Sequence, residues 1–184
     1  MIVKRSRCSV PLPPTLSGIT RVKDMNILGV KIQDNLSMEK HTNDLVTSAN
    51  QNLYALKILK TYGLPISSVY NVCSATLVSR LTYAAPAWFG FTNSAEKDRL
   101  QAVLNKATRW GLNVRPAPQL QDIIKSADKK LVGKILSCAS HVLHSFLPPD
   151  KPTSQRLRRR AHDRVLPIKT TSTERNFFIR MLYS

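Results

Sequence analysis

From residue 37 onward apolar side chains recur at three- or four-residue steps, the spacing that keeps one face of an α-helix dry. Leu45, Ala49, Leu53, Leu56 and Leu59 mark a first long helix, with Ser37 as its N-cap and Gly63 as a left-handed stop. Pro65 and Ser67 open a second helix with Val69, Val72, Cys73, Thr76, Leu77 and Leu81 on its apolar side, and Pro86 ends it. Ser94, with acidic Glu96 and Asp98 close behind, starts a third helix. It runs through Leu100, Val103, Leu104 and Ala107 to Trp110, and Gly111 stops it. After a break at Arg115-Pro116-Ala117-Pro118, two more helical stretches fit Leu120 to Lys125 and Asp128 to Phe146, ahead of Pro148-Pro149. Before the helices, Pro11, Pro13, Pro14 and Ser17-Gly18 break the chain. Two short strands follow, Ile19 to Val22 and Asn26 to Gln33, the second rich in β-branched residues. From Asp150 the periodicity fails. These patterns predict a mainly α chain with a short β-hairpin near its N-terminus.

Charge changes the picture more than hydrophobicity does. Twenty-eight Lys and Arg stand against eleven Asp and Glu, a formal net charge of +17. Such an imbalance repels itself unless a polyanion relieves it. Nucleic acid is the first candidate partner, because each neutralised phosphate releases counterions; an anionic membrane surface is the second. No apolar run approaches the length of a membrane span. The 35-residue stretch from Asp150 holds nine basic residues, among them Arg156, Arg158, Arg159 and Arg160. Arginine's planar fork of donors suits phosphate oxygens, so these four are candidate nucleic-acid contacts; the same run also reads as a solvated tail or an import signal.

Catalytic signatures are largely missing. The chain has no Gly-rich phosphate loop, no Gly-x-Ser-x-Gly elbow and no His-Glu-x-x-His. A two-metal polymerase centre needs closely placed carboxylates, whereas Asp24, Asp34, Asp44 and Asp98 are scattered and no Asp-Asp pair occurs. Cys8, Cys73 and Cys138 are too few and too far apart for a disulfide framework. Cys138, His141 and His144 follow one another at three-residue steps, which drift around a helix and converge poorly on zinc. No metal or cofactor is expected. The aromatic segment Tyr83 to Phe91 reads either as a base-stacking platform or as a packing plug, and packing is favoured.

Several stretches resemble reverse transcriptases of non-LTR retrotransposons, the LINE-type elements of the jockey and CR1 kind. They are Asn26-Ile27-Leu28-Gly29-Val30-Lys31-Ile32, then His41, Asn52 to Leu59 with Gly63, and Ser79-Arg80-Leu81-Thr82-Tyr83-Ala84-Ala85-Pro86-Ala87-Trp88. Ala127-Asp128, His141 to His144, Leu147-Pro148-Pro149, Leu157 to His162 and Asn176 to Tyr183 are similar to the C-terminal region of the same elements. The resemblance implies a palm remnant with a primer-grip hairpin over 1–36, an antiparallel thumb-like helical bundle over 37–111, C-terminal helices over 112–149 and a basic tail over 150–184. It implies a primer grip at Leu28 and Gly29, the latter because a missing side chain permits close approach. Lys57, Lys60, Arg80, Lys106 and Arg109 become candidates for the phosphates of an RNA–DNA hybrid or other duplex. The paired aspartates of such polymerases are absent, so the chain is expected to bind without polymerising and to depend on palm and fingers encoded upstream of Met1. An intracellular protein is expected, with the nucleus as the compartment the resemblance points to. Two rival readings stand beside it. One is the N-terminal segment of an AlkB-type nucleic-acid-modifying enzyme, disfavoured because no histidine is followed two residues later by an acid. The other is an inert module from a decayed element.

Overall fold

A computed structural model describes residues 1–3, 13–14, 17–112, 117–150, 164–168, 170 and 173–183. The chain is mainly helical, with a two-stranded antiparallel hairpin ahead of the helices. Strands β1 (Asp24–Ile27) and β2 (Val30–Gln33) pair so that Ile27 faces Val30 and Asp24 faces Gln33. Both predicted strands need correction. Residues 19–22 form no strand and lie exposed, and the second predicted strand, Asn26 to Gln33, spans the end of β1, the turn and all of β2. Leu28 and Gly29 are its two-residue turn, with φ of +48° and +84°. Positive φ at both central positions is the type I′ geometry whose twist matches paired strands. Leucine rarely adopts it, which is why the sequence reads there as continuous strand. The Tyr83 hydroxyl donates to the Leu28 carbonyl at 3.0 Å and helps hold the turn.

Helix α1 (Glu39–Thr61) buries Leu45, Ala49, Leu53 and Leu56 as the spacing predicts, and His41 and Thr42 with them. Leu59 is an exception at 48% exposed. It lies about five turns beyond His41 on the same edge of the apolar stripe. Trp88 and the hairpin cover that edge at the His41 end. Ser37 is not the N-cap; Met38 is, and the Ser37 hydroxyl accepts from Glu39 N one residue early. Gly63, at φ +90°, does stop the helix: its N–H reaches the Lys60 carbonyl and Leu64 N–H reaches Leu59, the paired bonds of a Schellman motif.

The second helix is continuous but irregular. Helix α2 (Ile66–Cys73) passes through a π-helical turn, Ser74–Val78, into α3 (Ser79–Thr82). Val69, Cys73, Leu77 and Leu81 are buried, whereas Val72 is exposed. Pro86 begins a helix rather than ending one. The chain turns at Ala84, in the left-handed region, and Pro86 sits in the first turn of α4 (Ala85–Trp88), where its missing N–H costs nothing. A 3₁₀ turn, Phe89–Phe91, leads to α5 (Ser94–Arg109), which starts at Ser94 as the sequence predicts and is capped by Asn93. Asn93 Oδ1 accepts from Glu96 N at 2.8 Å and Glu96 Oε2 accepts from Asn93 N at 2.9 Å, a reciprocal capping box.

The two helical stretches predicted after residue 117 are one helix, α6 (Leu120–Ser137), which stops well before Phe146. A 3₁₀ turn at His144–Phe146 follows. The C-terminal stretch, where no periodicity was legible, holds a 3₁₀ turn at Thr173–Arg175 and a short helix α7 (Phe177–Leu182) packed back on α6. The main core is built from α1, α2–α3, α4, α5 and the start of α6 around Leu53, Leu77, Trp88, Leu100, Leu104 and Leu120. Among the described residues no helix is long and apolar enough to cross a membrane.

Candidate nucleic-acid interface

Cross-helix pairs fix how α1 and α5 lie. Arg99 Nη1 donates to Asn43 Oδ1 at 2.6 Å, Lys106 Nζ to Asn50 Oδ1 at 2.7 Å, and Lys60 Nζ to the Trp110 carbonyl at 3.0 Å. Partners advance together along both helices, so α1 and α5 run parallel, with α2–α3 returning antiparallel between them in sequence. Glu39 and Asp44 stand in the first half of α1, Glu96 and Asp98 in the first half of α5, and neither helix has an acid in its second half. Parallel packing therefore gathers Lys57, Lys60, Lys106 and Arg109 at one end of the bundle, while the opposite end mixes signs.

Trp110 organises that end. Lys57 Nζ lies 4.9 Å and Lys106 Nζ 4.6 Å from the centre of its indole ring, within cation–π range. Gly111, at φ +64°, terminates α5 in a second Schellman motif, with Leu112 N–H on the Ala107 carbonyl. That turn presents the Trp110 and Gly111 carbonyls to Lys60 Nζ, at 3.0 and 3.2 Å. A Cβ on Gly111 would come within 2.8 Å of the ammonium. The lysines thus have a structural role, satisfying helix-end carbonyls and the dipole. Arg109, in the last turn of α5, is exposed at the same end. Sequence reasoning singled out the four cations but missed Trp110 as their common neighbour; the signal was an aromatic directly before a glycine stop.

Arg80, Leu28 and Gly29 do not join this cluster. The Arg80 guanidinium hydrogen-bonds Ser48 Oγ on α1. Ser48 lies roughly 14–18 Å along the helix from Lys57 and Lys60 at the usual rise per residue. Gly29 and Arg80 instead line a cleft of about 740 Å³ between the hairpin turn, α1 and the π-helical turn. His41 stands in its wall, only 5% exposed, with its ring edge-on to Trp88 at 5.0 Å. Its Nδ1 accepts a long hydrogen bond, 3.5 Å, from Lys31 N, and its Nε2 is buried with no partner.

Burial holds the His41 imidazole below its usual pKa; Asp44 on α1 opposes this and Lys31 on β2 adds to it. Asp44 is itself ion-paired with Lys31, so the two act on the ring in opposite senses and burial prevails. The folded state therefore binds a proton on His41 less readily than the unfolded chain does. This contribution to stability is complete above the ordinary imidazole value of 6.5 and is lost as pH falls below it towards the folded pKa. We expect urea-unfolding stability to decline as pH falls below neutrality, with a slope no steeper than about 1.4 kcal/mol per pH unit, the limit for one proton. In His41→Gln the decline should flatten; an unchanged slope in that variant would show that another group governs it.

The aromatic segment divides. Trp88 and Phe89 are buried, and Trp88 Nε1 donates to the Tyr83 carbonyl at 2.9 Å, so these two pack as expected. Tyr83 is 57% exposed and faces the cleft. Cys138, His141 and His144 lie beyond the end of α6 in turns, so the helical geometry expected of them does not apply. His141 Nδ1 accepts from Leu143 N and Cys138 Sγ meets Ser140 Oγ. Among the described residues no group of three such side chains could hold a metal ion. Arg156, Arg158, Arg159, Arg160 and His162 lie outside the described residues. No family model, curated protein or solved structure matches this chain.

Proposed function

We propose that this chain is a nucleic-acid-binding helical module, the primer-grip and thumb-like part of a non-LTR retrotransposon reverse transcriptase, which holds template–primer duplex by its backbone. The observation that carries the reading is the acid-free end of the bundle, where Lys57, Lys60 and Lys106 converge on Trp110. Cations anchored on rigid helix ends contact phosphates without reading bases. The net charge of +17 supports the same partner. Nucleotide transfer is left to carboxylates elsewhere, because this sequence has no aspartate pair.

Titration of the full chain with a labelled RNA–DNA hybrid, read by fluorescence anisotropy across salt, tests this. Affinity should vary little with sequence, and log K should fall against log salt with a slope of about −0.9 per phosphate contacted. Replacing Lys57 and Arg109 with glutamine should weaken binding about tenfold at low salt and reduce the slope by roughly one to two. Salt-independent binding, or a double variant with the parental slope, would remove the basis for the proposal.

A further inference from the structure

The cleft beside the hairpin turn has features that the basic end does not explain. Its volume, about 740 Å³, is in the range that accepts a ligand the size of a nucleotide. His41 is 95% withdrawn from solvent, being 5% exposed. Its Nδ1 accepts from the Lys31 amide, so the neutral ring carries its proton on Nε2. That N–H has no partner, and an unmatched buried donor costs about 1–3 kcal/mol. An acceptor entering the cleft would relieve that cost.

The opposite wall supplies a cation. The π-helical turn at Ser74–Val78 adds a residue to the helical register just before Arg80. Such turns concentrate at functional sites. Hydroxyls stabilise this one: Thr76 Oγ1 donates to the Val72 carbonyl and Ser79 Oγ to Ala75. Arg80 is exposed, and its recorded partner is the neutral Ser48 hydroxyl, not a carboxylate. The acid in the cleft, Asp44, is matched to Lys31 instead. The cleft thus presents an uncompensated guanidinium and a buried imidazole N–H, with Asn52 lining it one helical turn beyond Ser48 on α1.

We propose that this cleft is a phosphate-recognition site, with the Arg80 guanidinium and His41 Nε2–H donating to the oxygens of a phosphomonoester carried by a nucleotide or an oligonucleotide end. A guanidinium and an imidazole N–H lining one cleft suit a terminal phosphate better than a passing backbone. The inference does not depend on the duplex-binding reading, since the cleft lies well away from Trp110.

Calorimetric titration of the full chain with adenosine monophosphate, adenosine, and short oligonucleotides with and without a 5′ phosphate tests it. Saturable binding of the phosphorylated probes is expected, weaker by about tenfold or more without the phosphate. If adenosine monophosphate binds, a free nucleotide suffices; if the phosphorylated oligonucleotide alone binds, the source is a nucleic-acid end. Arg80→Ala should reduce affinity for the phosphorylated probes about tenfold, while Lys129→Gln, at an exposed position on α6, should leave it unchanged. The imidazole ¹⁵N signals of His41 should shift on binding, a readout that needs no His41 variant. Equal affinity for the unphosphorylated probes, full affinity in Arg80→Ala, or no saturation by either phosphorylated probe at millimolar concentration would overturn the assignment.

Discussion

Trp88→Ala should destabilise the folded chain by about 3–5 kcal/mol, a large share of the 5–15 kcal/mol typical of a domain. Trp88 is 1% exposed and among the largest fully buried side chains. Its ring meets His41 edge-on at 5.0 Å and Phe89 at 5.9 Å, so it joins α1 to the α4 corner, and α4 in turn packs on α6. Truncation leaves a cavity bounded by three helices that are tied together by other contacts and collapse only partly. It also strips the Tyr83 carbonyl of its indole donor. Trp88→Phe keeps most of the volume and should cost roughly half as much, the remainder being the lost N–H and the residual gap. Urea unfolding followed by helical circular dichroism separates these outcomes. A Trp88→Ala midpoint within about 1 kcal/mol of the parent would mean that the core is organised around other side chains.

The second large effect concerns the C-terminal helix. Arg180 Nη2 on α7 lies 3.0 Å from Asp128 Oδ2 on α6, with 23% and 6% of the side chains exposed. Gly90 makes the approach possible, since a Cβ there would land on the Arg175 carbonyl oxygen and the Arg180 guanidinium. Burial pushes the Asp128 carboxyl up and Arg180 draws it back only in part. Removing Arg180 leaves a buried carboxylate with no counter-charge, and Arg180→Ala should cost about 2–4 kcal/mol at neutral pH. The sign follows from linkage. A carboxyl whose folded pKa is raised penalises the folded state at high pH, and the penalty fades as pH falls through the folded pKa towards the unfolded value near 3.8. The defect in Arg180→Ala should therefore shrink in acid. It should also shrink when Asp128→Ala is added, because the two changes remove one interaction. Amide exchange across residues 173–183 is the local readout. If Arg180→Ala costs the same at every pH, the charge is not its cause.

Legibility in the sequence followed the range of the interaction concerned. The stops at Gly63 and Gly111 were readable because a left-handed residue after an apolar stripe is a local requirement. The start of α5 at Ser94 was readable from the acid close behind it, Glu96, whose side chain reaches back to the Asn93 cap. The break predicted within α6 came from Asp128, which reads as a fresh helix start. Its carboxylate instead faces Arg180, 52 residues away, and no local pattern reports such a partner. The hairpin turn was missed because a leucine at φ +48° contradicts local preference and is held in part by Tyr83, far along the chain.

The candidate sites divide in the same way. Lys57, Lys60, Lys106 and Arg109 were visible as cations on helical stretches, and the excess of positive charge was visible in the composition. What the amino-acid sequence determined alone is the mainly helical character, the long helices and their glycine ends, since periodicity, capping and left-handed backbone act within a few residues. Tertiary structure decided that α1 and α5 run parallel and so gather their basic ends around Trp110. It also set Arg80 across a cleft from a buried His41 whose Nε2 has no partner, and drew α7 back onto α6. Those arrangements come from packing and charge pairing between residues tens of positions apart, whose free energies no local window contains.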